Sequence, residues 1–213
     1  MKRLFHLALL IVIIISHPKA IGQKTRVGIN AGATLANMYS KVNGEKDNGD
    51  SKMGFTIGVF TDVPLGNHLS FQPRLNLTQK GTKDKTSDIE VKMNLNYLEL
   101  PLNFLYNSNS PGGNFFIGAG PSIGIGISGK TTVNIQGEKE SEKVNFGNSD
   151  SDDLKRLDIG ADIIAGYCAK GGFRVALNYN HGLSNLYPGG SDDGKLRSSY
   201  FGLGVGFLLG HKK

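Results

Sequence analysis

The chain has 213 residues and a formal net charge of +6, with 24 Lys and Arg residues against 18 Asp and Glu. One domain is the default for this length. Aromatic residues do not interleave with a basic stripe, so the positive charge does not indicate a nucleic-acid-binding surface. The single cysteine, Cys168, excludes an intramolecular disulfide framework.

Residues 1–22 have the pattern of a secretory signal peptide. Lys2 and Arg3 precede an unbroken apolar run at 7–15, and a small-residue cleavage site lies before Gln23. The apolar run is too short for a membrane-spanning helix, which needs about 20 residues. We therefore predict a cleaved leader and an exported protein.

The mature chain, residues 23–213, alternates apolar and polar residues with a period of two, which is typical of half-covered β-strands. We predict that it is one domain with a formal charge of +3, because three basic residues leave with the leader. The alternation predicts eight strands, at 25–39, 53–63, 69–81, 89–106, 114–128, 156–169, 173–183 and 196–209.

The connections between these strands tend to alternate in length. Three are long, at 40–52, 129–155 and 184–195, whereas 64–68 and 170–172 are short. Several strands are also longer than the usual soluble strand of about 5–6 residues. This pattern is typical of outer-membrane barrels with long extracellular loops and short periplasmic turns. We predict an all-β protein, an eight-stranded antiparallel up-and-down transmembrane β-barrel integral to an outer membrane.

Glycines fill the non-apolar face of three predicted strands. In the segment 115–129, FFIGAGPSIGIGISG, their spacing partly matches the G-x-G-x-x-G dinucleotide-binding motif. However, isoleucines continue the β pattern where that motif requires a helix. An eight-stranded barrel is just wide enough for side chains to fill. We predict nine lumen-lining glycines: Gly28, Gly32, Gly118, Gly120, Gly124, Gly126, Gly202, Gly204 and Gly206.

The fourth predicted strand changes the parity of its apolar residues near Asn96 and Tyr97. A β-bulge there would switch the apolar face without ending the strand. On this register Glu99 points into the lumen, within a few residues of Arg74 on the preceding strand. We predict a lumen ion pair between Arg74 and Glu99 that helps to close the barrel.

A hydrolytic site would need a nucleophile beside an oriented base. His181 near the outer rim, with Ser184 and either Asp158 or Asp162, is the one candidate. Such triples arise by chance, and we predict no catalytic residues.

Two acidic loop segments partly match ligand-binding motifs. The run at 148–153, NSDSDD, lacks the Gly and Glu of a calcium loop. The segment 189–195, GGSDDGK, is followed by Leu196 where a phosphate loop has Ser or Thr. We predict no metal site and no cofactor.

The chain resembles the PorT-like family of outer-membrane β-barrel proteins. The segments that carry the resemblance are VGINAGATLANMY at 27–39, FQPRLNLTQKG at 71–81, NYLELPLNFLY at 96–106, FFIGAGPSIGIGISG at 115–129 and SSYFGLGVGFLLG at 198–210. The resemblance implies an eight-stranded barrel in a Gram-negative envelope. It implies little about activity, although one branch is linked to protein secretion. The chain departs from the pattern at its end, where GHKK replaces a terminal aromatic residue.

These features predict a non-enzymatic barrel with a largely closed lumen. Its extracellular loops would serve envelope structure or interaction. Membrane lipid is the expected partner, with envelope or secretion proteins as possible others and no nucleic acid. A narrow porin and an accessory factor in protein export are the alternatives. The sequence leaves the oligomeric state open.

Overall fold

The computed structural model describes residues 25–42, 44–108, 112–149, 151–188 and 194–209. The predicted signal peptide lies outside these residues. The described strands are β1 (Arg26–Val42), β2 (Glu45–Asn48), β3 (Lys52–Pro64), β4 (Leu69–Lys85), β5 (Ile89–Asn107), β6 (Gly113–Ile135), β7 (Glu138–Lys143), β8 (Leu157–Ala169), β9 (Phe173–Gly182) and β10 (Gly194–Leu209). Within the described ranges, no helix has the length and apolar character needed to cross a membrane.

Eight strands form a closed antiparallel barrel. Their order around the barrel is β1, β3, β4, β5, β6, β8, β9 and β10, and β10 pairs with β1 from Val27↔Leu209 to Val42↔Gly194. In the closed barrel each strand is paired on both sides. A sheet in lipid requires this, because its backbone groups find no water to bind there. The predicted architecture and its eight strands are confirmed.

The two ends of the barrel differ. At the turn end, the connections 65–68, 108–112 and 170–172 are short. At the loop end, two small sheets extend beyond the barrel. The first joins β7 to β6, β5 and β4, and the second joins β2 to β1 and β10.

The outer wall of the barrel is apolar. Large apolar side chains such as Ile57, Leu75, Ile117 and Leu203 are about half exposed, while polar side chains occupy the interior. Near the turn end, aromatic rings pair on or beside this wall, including Phe71 with Phe104, Phe115 with Tyr167 and His68 with Tyr106. An apolar band flanked by aromatic residues is the lipid-facing surface of a transmembrane barrel.

The predicted bulge lies at the expected register, between Asn96 and Tyr97 of β5. The extra residue is Ile127 of β6, because Tyr97 pairs with Gly126 and Asn96 pairs with Ser128. On β5 itself Leu95 and Tyr97 are both buried, so the predicted change of face within this strand is wrong. In the loop-end part of β5 the apolar residues face inward and contact an apolar cluster, whereas in the membrane part they face outward to the lipid. The apolar positions therefore switch from odd to even numbers, although odd-numbered residues face inward throughout the strand.

Candidate functional site: the filled barrel interior

Lys80 of β4 lies in the barrel interior, in the half nearer the loop end, with 2% of its surface exposed. Its Nζ atom is 2.6 Å from Oε1 of Glu99 on β5 and 2.9 Å from Oδ2 of Asp158 on β8. Tyr200 of β10 donates its hydroxyl proton to Glu99 Oε2 at 2.8 Å. The ring of Tyr97 lies 5.0 Å from the same Nζ atom. Four barrel strands are therefore tied together around one buried ammonium group.

A second polar layer is built around Asp162 of β8, which is fully buried. Arg74 Nη2 forms an ion pair with Asp162 Oδ2. Asn103 Nδ2 donates to the same oxygen at 2.7 Å, and Asn178 Nδ2 donates to Asp162 Oδ1 at 3.2 Å. Each carboxylate oxygen thus has at least one donor, as a buried charge requires.

The predicted ion pair between Arg74 and Glu99 does not form. Both side chains are buried in the lumen, but Glu99 pairs with Lys80, and Arg74 reaches across to Asp162. The Cα partner of Glu99 on β4 is Asn76, so Arg74 starts two residues nearer the turn end. Its long side chain crosses the narrow lumen to a different strand.

Towards the turn end, Arg174 of β9 is held between aromatic rings. Its guanidinium carbon lies 4.7 Å from the centroid of Phe60 and 4.1 Å from that of Phe116. Arg26 and Asp62 form another ion pair nearby, at 2.5 Å. A guanidinium group stacked on aromatic rings in this way is stabilised because the aromatic faces attract the cation.

An apolar cluster, which we call the plug, fills the mouth at the loop end. Its buried members are Met38, Leu95, Tyr97, Val144, Phe146, Leu154 and Leu186. The segment 144–156 supplies three of them, and Phe146 meets Tyr97 edge to face at 5.7 Å between centroids. Arg156 fixes the segment by donating to the Phe146 carbonyl at 2.8 Å, and its own carbonyl accepts from Gly126 N–H at 2.8 Å.

Little empty space is found between the described residues that line the interior. A cavity of about 40 Å³ lies between the polar layers, lined by residues that include Arg74, Gln72 and Arg174. A cavity needs roughly 10–15 Å³ to hold one water molecule, so this one holds very few. The interior is packed from the plug to the turn end.

The nine predicted glycines lie on the inward face of β1, β6 and β10. Gly32 pairs with Gly204, and Gly124 pairs with buried Glu99. Two of them make room for large side chains. A Cβ atom at Gly28 would lie 2.3 Å from the Phe60 ring, and one at Gly126 would lie 2.5 Å from the Phe146 ring.

The residues considered for a hydrolytic site are not assembled into one. Ser184 donates its hydroxyl proton to Asp158 at 3.1 Å. His181 lies on the outer face, where its Nδ1 atom is 3.2 Å from the hydroxyl oxygens of Tyr179 and Ser199. The imidazole therefore contacts neither Ser184 nor Asp158, and Asp158 instead belongs to the Lys80 cluster.

Sequence reasoning missed the partners Lys80, Asp158 and Asp162 as members of the interior network. Their signal is present in the alternation, since all three lie on the non-apolar face of predicted strands. A charged residue on the inward face of a lipid-embedded strand must find a partner there, so every such residue is a candidate for the network.

An apolar belt around a filled polar interior defines an integral β-barrel membrane protein. The chain matches the family model described as "Outer membrane protein beta-barrel domain" over residues 16–187 and belongs to that family. It is an integral protein of the outer membrane. No match was found among curated proteins.

Several solved structures are similar to the chain. Ail, the attachment invasion locus protein of Yersinia pestis, is 16% identical with a TM-score of 0.41, covering 87% of this chain and 100% of that one. Neisserial surface protein A is 14% identical with a TM-score of 0.43, covering 87% and 99%. The outer membrane protein OprG from Pseudomonas aeruginosa is 11% identical with a TM-score of 0.43, covering 87% and 95%.

Proposed function

We propose that this barrel is non-enzymatic, keeps its lumen closed, and presents its loop end outside the cell for envelope structure or interaction. The observation that carries the proposal is the filled interior. Among the described residues, two layers of buried ion pairs and the plug fill the lumen around small cavities of about 40 and 10 Å³. Open aqueous channels are typical of barrels with about 16–18 strands.

The loop end offers exposed surface to partners. The small sheets built on β2 and β7 project there, and every residue of both strands is exposed. Outer-membrane barrels place their longer loops outside the cell and their short turns in the periplasm. Membership of the PorT-like branch, and with it a role in protein export, stays a prediction from the resemblance.

Cysteine labelling in intact cells tests the orientation. Ser141 is exposed on β7, and Gly66 lies in the 65–68 turn with no atom within 4 Å of where its Cβ would be. We expect Ser141→Cys to react with a membrane-impermeant thiol reagent, and Gly66→Cys to react only after the outer membrane is permeabilised.

Both variants are made with Cys168→Ser, which removes the native thiol. Equal labelling of both sites in permeabilised cells is the control for folding and expression. Labelling of Gly66→Cys but not of Ser141→Cys in intact cells would reverse the orientation and overturn the proposal.

A further inference from the structure

In the loop-end sheet of β4, β5, β6 and β7, basic and acidic side chains are concentrated on opposite faces. Directly paired residues of an antiparallel sheet share a face, so each row of partners can be assigned to the inward or the outward side. Leu95 is buried in the plug and defines the inward side. Asn94, one residue away, and its partners Lys130 and Gly81 therefore belong to the outward side.

The outward face of this sheet is strongly basic. Its three rows carry six lysines, Lys83, Lys85, Lys92, Lys130, Lys139 and Lys143. Two acidic residues lie among the described positions of these rows: Glu90, which pairs with Lys92 at 2.9 Å, and Asp50, whose backbone pairs with that of Lys83. The inward face carries four acids and no lysine in the same stretch: Asp84, Glu138, Glu140 and Glu142.

The second sheet, of β2, β1 and β10, repeats this arrangement on different residues. Lys41 pairs with both Lys46 and Lys195, and Arg197 lies in the next outward row, opposite Tyr39. Leu35 of β1 is lipid-exposed and has the same parity, which fixes these rows as outward. Glu45 and Asp47 of β2 have the inward parity. On both sheets the outward rows thus carry mainly cations, and most of the acids lie in the inward rows.

On both sheets, the basic rows begin at the same distance from the edge of the apolar band. The last outward apolar residue is Leu98 on β5 and Phe201 on β10, and the first basic row lies four residues further along each strand. Four residues are about 13 Å of strand, or roughly 10 Å of height at a tilt near 40°. A headgroup layer is about 5–8 Å thick. Lysine and arginine stems are long enough to reach back into it.

We propose that these ten basic side chains form a collar that binds the phosphate groups of lipid headgroups in the outer leaflet. The collar continues the lipid-facing wall directly, so headgroups lie beside it without any further docking step. Its charge is complementary to phosphate, because ten basic side chains there outnumber the two acids, Glu90 and Asp50. The assignment to the outer leaflet rests on the proposed orientation.

The test uses the full mature chain reconstituted in nanodiscs that contain equal amounts of a phosphorylated glycolipid and its phosphatase-treated form. Native mass spectrometry measures the ratio of the two forms retained by the protein. We expect the phosphorylated form to be retained in excess. Lys130→Gln with Lys143→Gln should lower that ratio by about tenfold or more, since a surface lysine contributes about 1 kcal/mol at an anionic membrane surface and 1.4 kcal/mol is tenfold.

Lys155→Gln is the control, because it removes a positive charge from the plug segment, which fills the mouth and is not part of the lipid-facing wall. It should leave the ratio unchanged. Equal retention of both glycolipids, or the same loss in the control as in the collar variant, would overturn the proposal. Nanodiscs carry the lipids in both leaflets, so this result does not depend on which end faces the cell exterior. The labelling experiment tests that orientation separately.

Discussion

Lys80 forms ion pairs with two carboxylates at once, and this decides which substitutions in the interior are costly. Glu99 and Asp158 both lie within 2.9 Å of its ammonium group, and all three side chains are almost completely buried. Without Lys80, two carboxylates would face each other in the lumen. Without the charge of Glu99, Lys80 and Asp158 remain as a neutral pair.

We expect Lys80→Met to lower the free energy of unfolding by about 3–5 kcal/mol, the usual cost of leaving buried charge uncompensated. Glu99→Gln should cost clearly less, because the amide oxygen can still accept from Lys80, and the Tyr200 hydroxyl can accept from the amide NH2 group that replaces the second oxygen. Reversible urea unfolding in lipid vesicles measures both. Glu45→Gln on exposed β2 is the control. A Glu99→Gln loss as large as that of Lys80→Met would contradict this account of the charges.

The interior network shows where prediction from sequence ends at the residue scale. Alternation predicted that Arg74 and Glu99 face inward, and both are buried. Their partners depend on contacts across the lumen, where Arg74 reaches Asp162 on β8. Register along neighbouring strands does not describe such contacts, because in a narrow barrel a long side chain reaches the opposite wall.

At the scale of the element, β4 passes from lipid to a polar environment within four residues. Leu75 and Leu77 lie in the apolar band, where Leu77 pairs with Leu98. Gln79 has the same outward parity but contacts Asn96 through a hydrogen bond of 3.4 Å. The apolar band therefore ends between residues 77 and 79 on this strand.

This boundary predicts different costs for one substitution at two sites on the same face. Leu75→Arg should destabilise the barrel by about 2–4 kcal/mol if it lies near the midplane, and Gln79→Arg by about 0–1 kcal/mol near the interface. Unfolding titrations in vesicles compare the two variants under identical conditions. Similar losses would show that the boundary is misplaced.

The long strands could be predicted because each keeps a period-two pattern over ten or more residues. Strands β2 and β7 were missed and fell within predicted loops. Glu138–Lys143 reads EKESEK and carries no apolar residue, so hydrophobic alternation gives no signal there. Its alternation is one of charge, which becomes meaningful only once the pairing with β6 assigns each residue to a face.

At the scale of the whole molecule, the distribution of polarity is inverted relative to a soluble barrel. Apolar side chains cover the outside, and ion pairs and amides fill the inside. The plug then closes the mouth with an apolar cluster that uses the segment 144–156. The sequence predicted a closed lumen from strand number, but the plug depends on contacts between that segment and distant strands.

Single-channel recording in planar bilayers tests the closed lumen most directly. The account predicts that the purified, folded protein gives no sustained ion conductance, because in the described part of the chain the ion-pair layers and the plug fill the interior. A large porin of about 16 strands, reconstituted in the same way, serves as the positive control. Stable and reproducible conductance steps from the unmodified protein would contradict the closed lumen and favour the narrow-porin alternative.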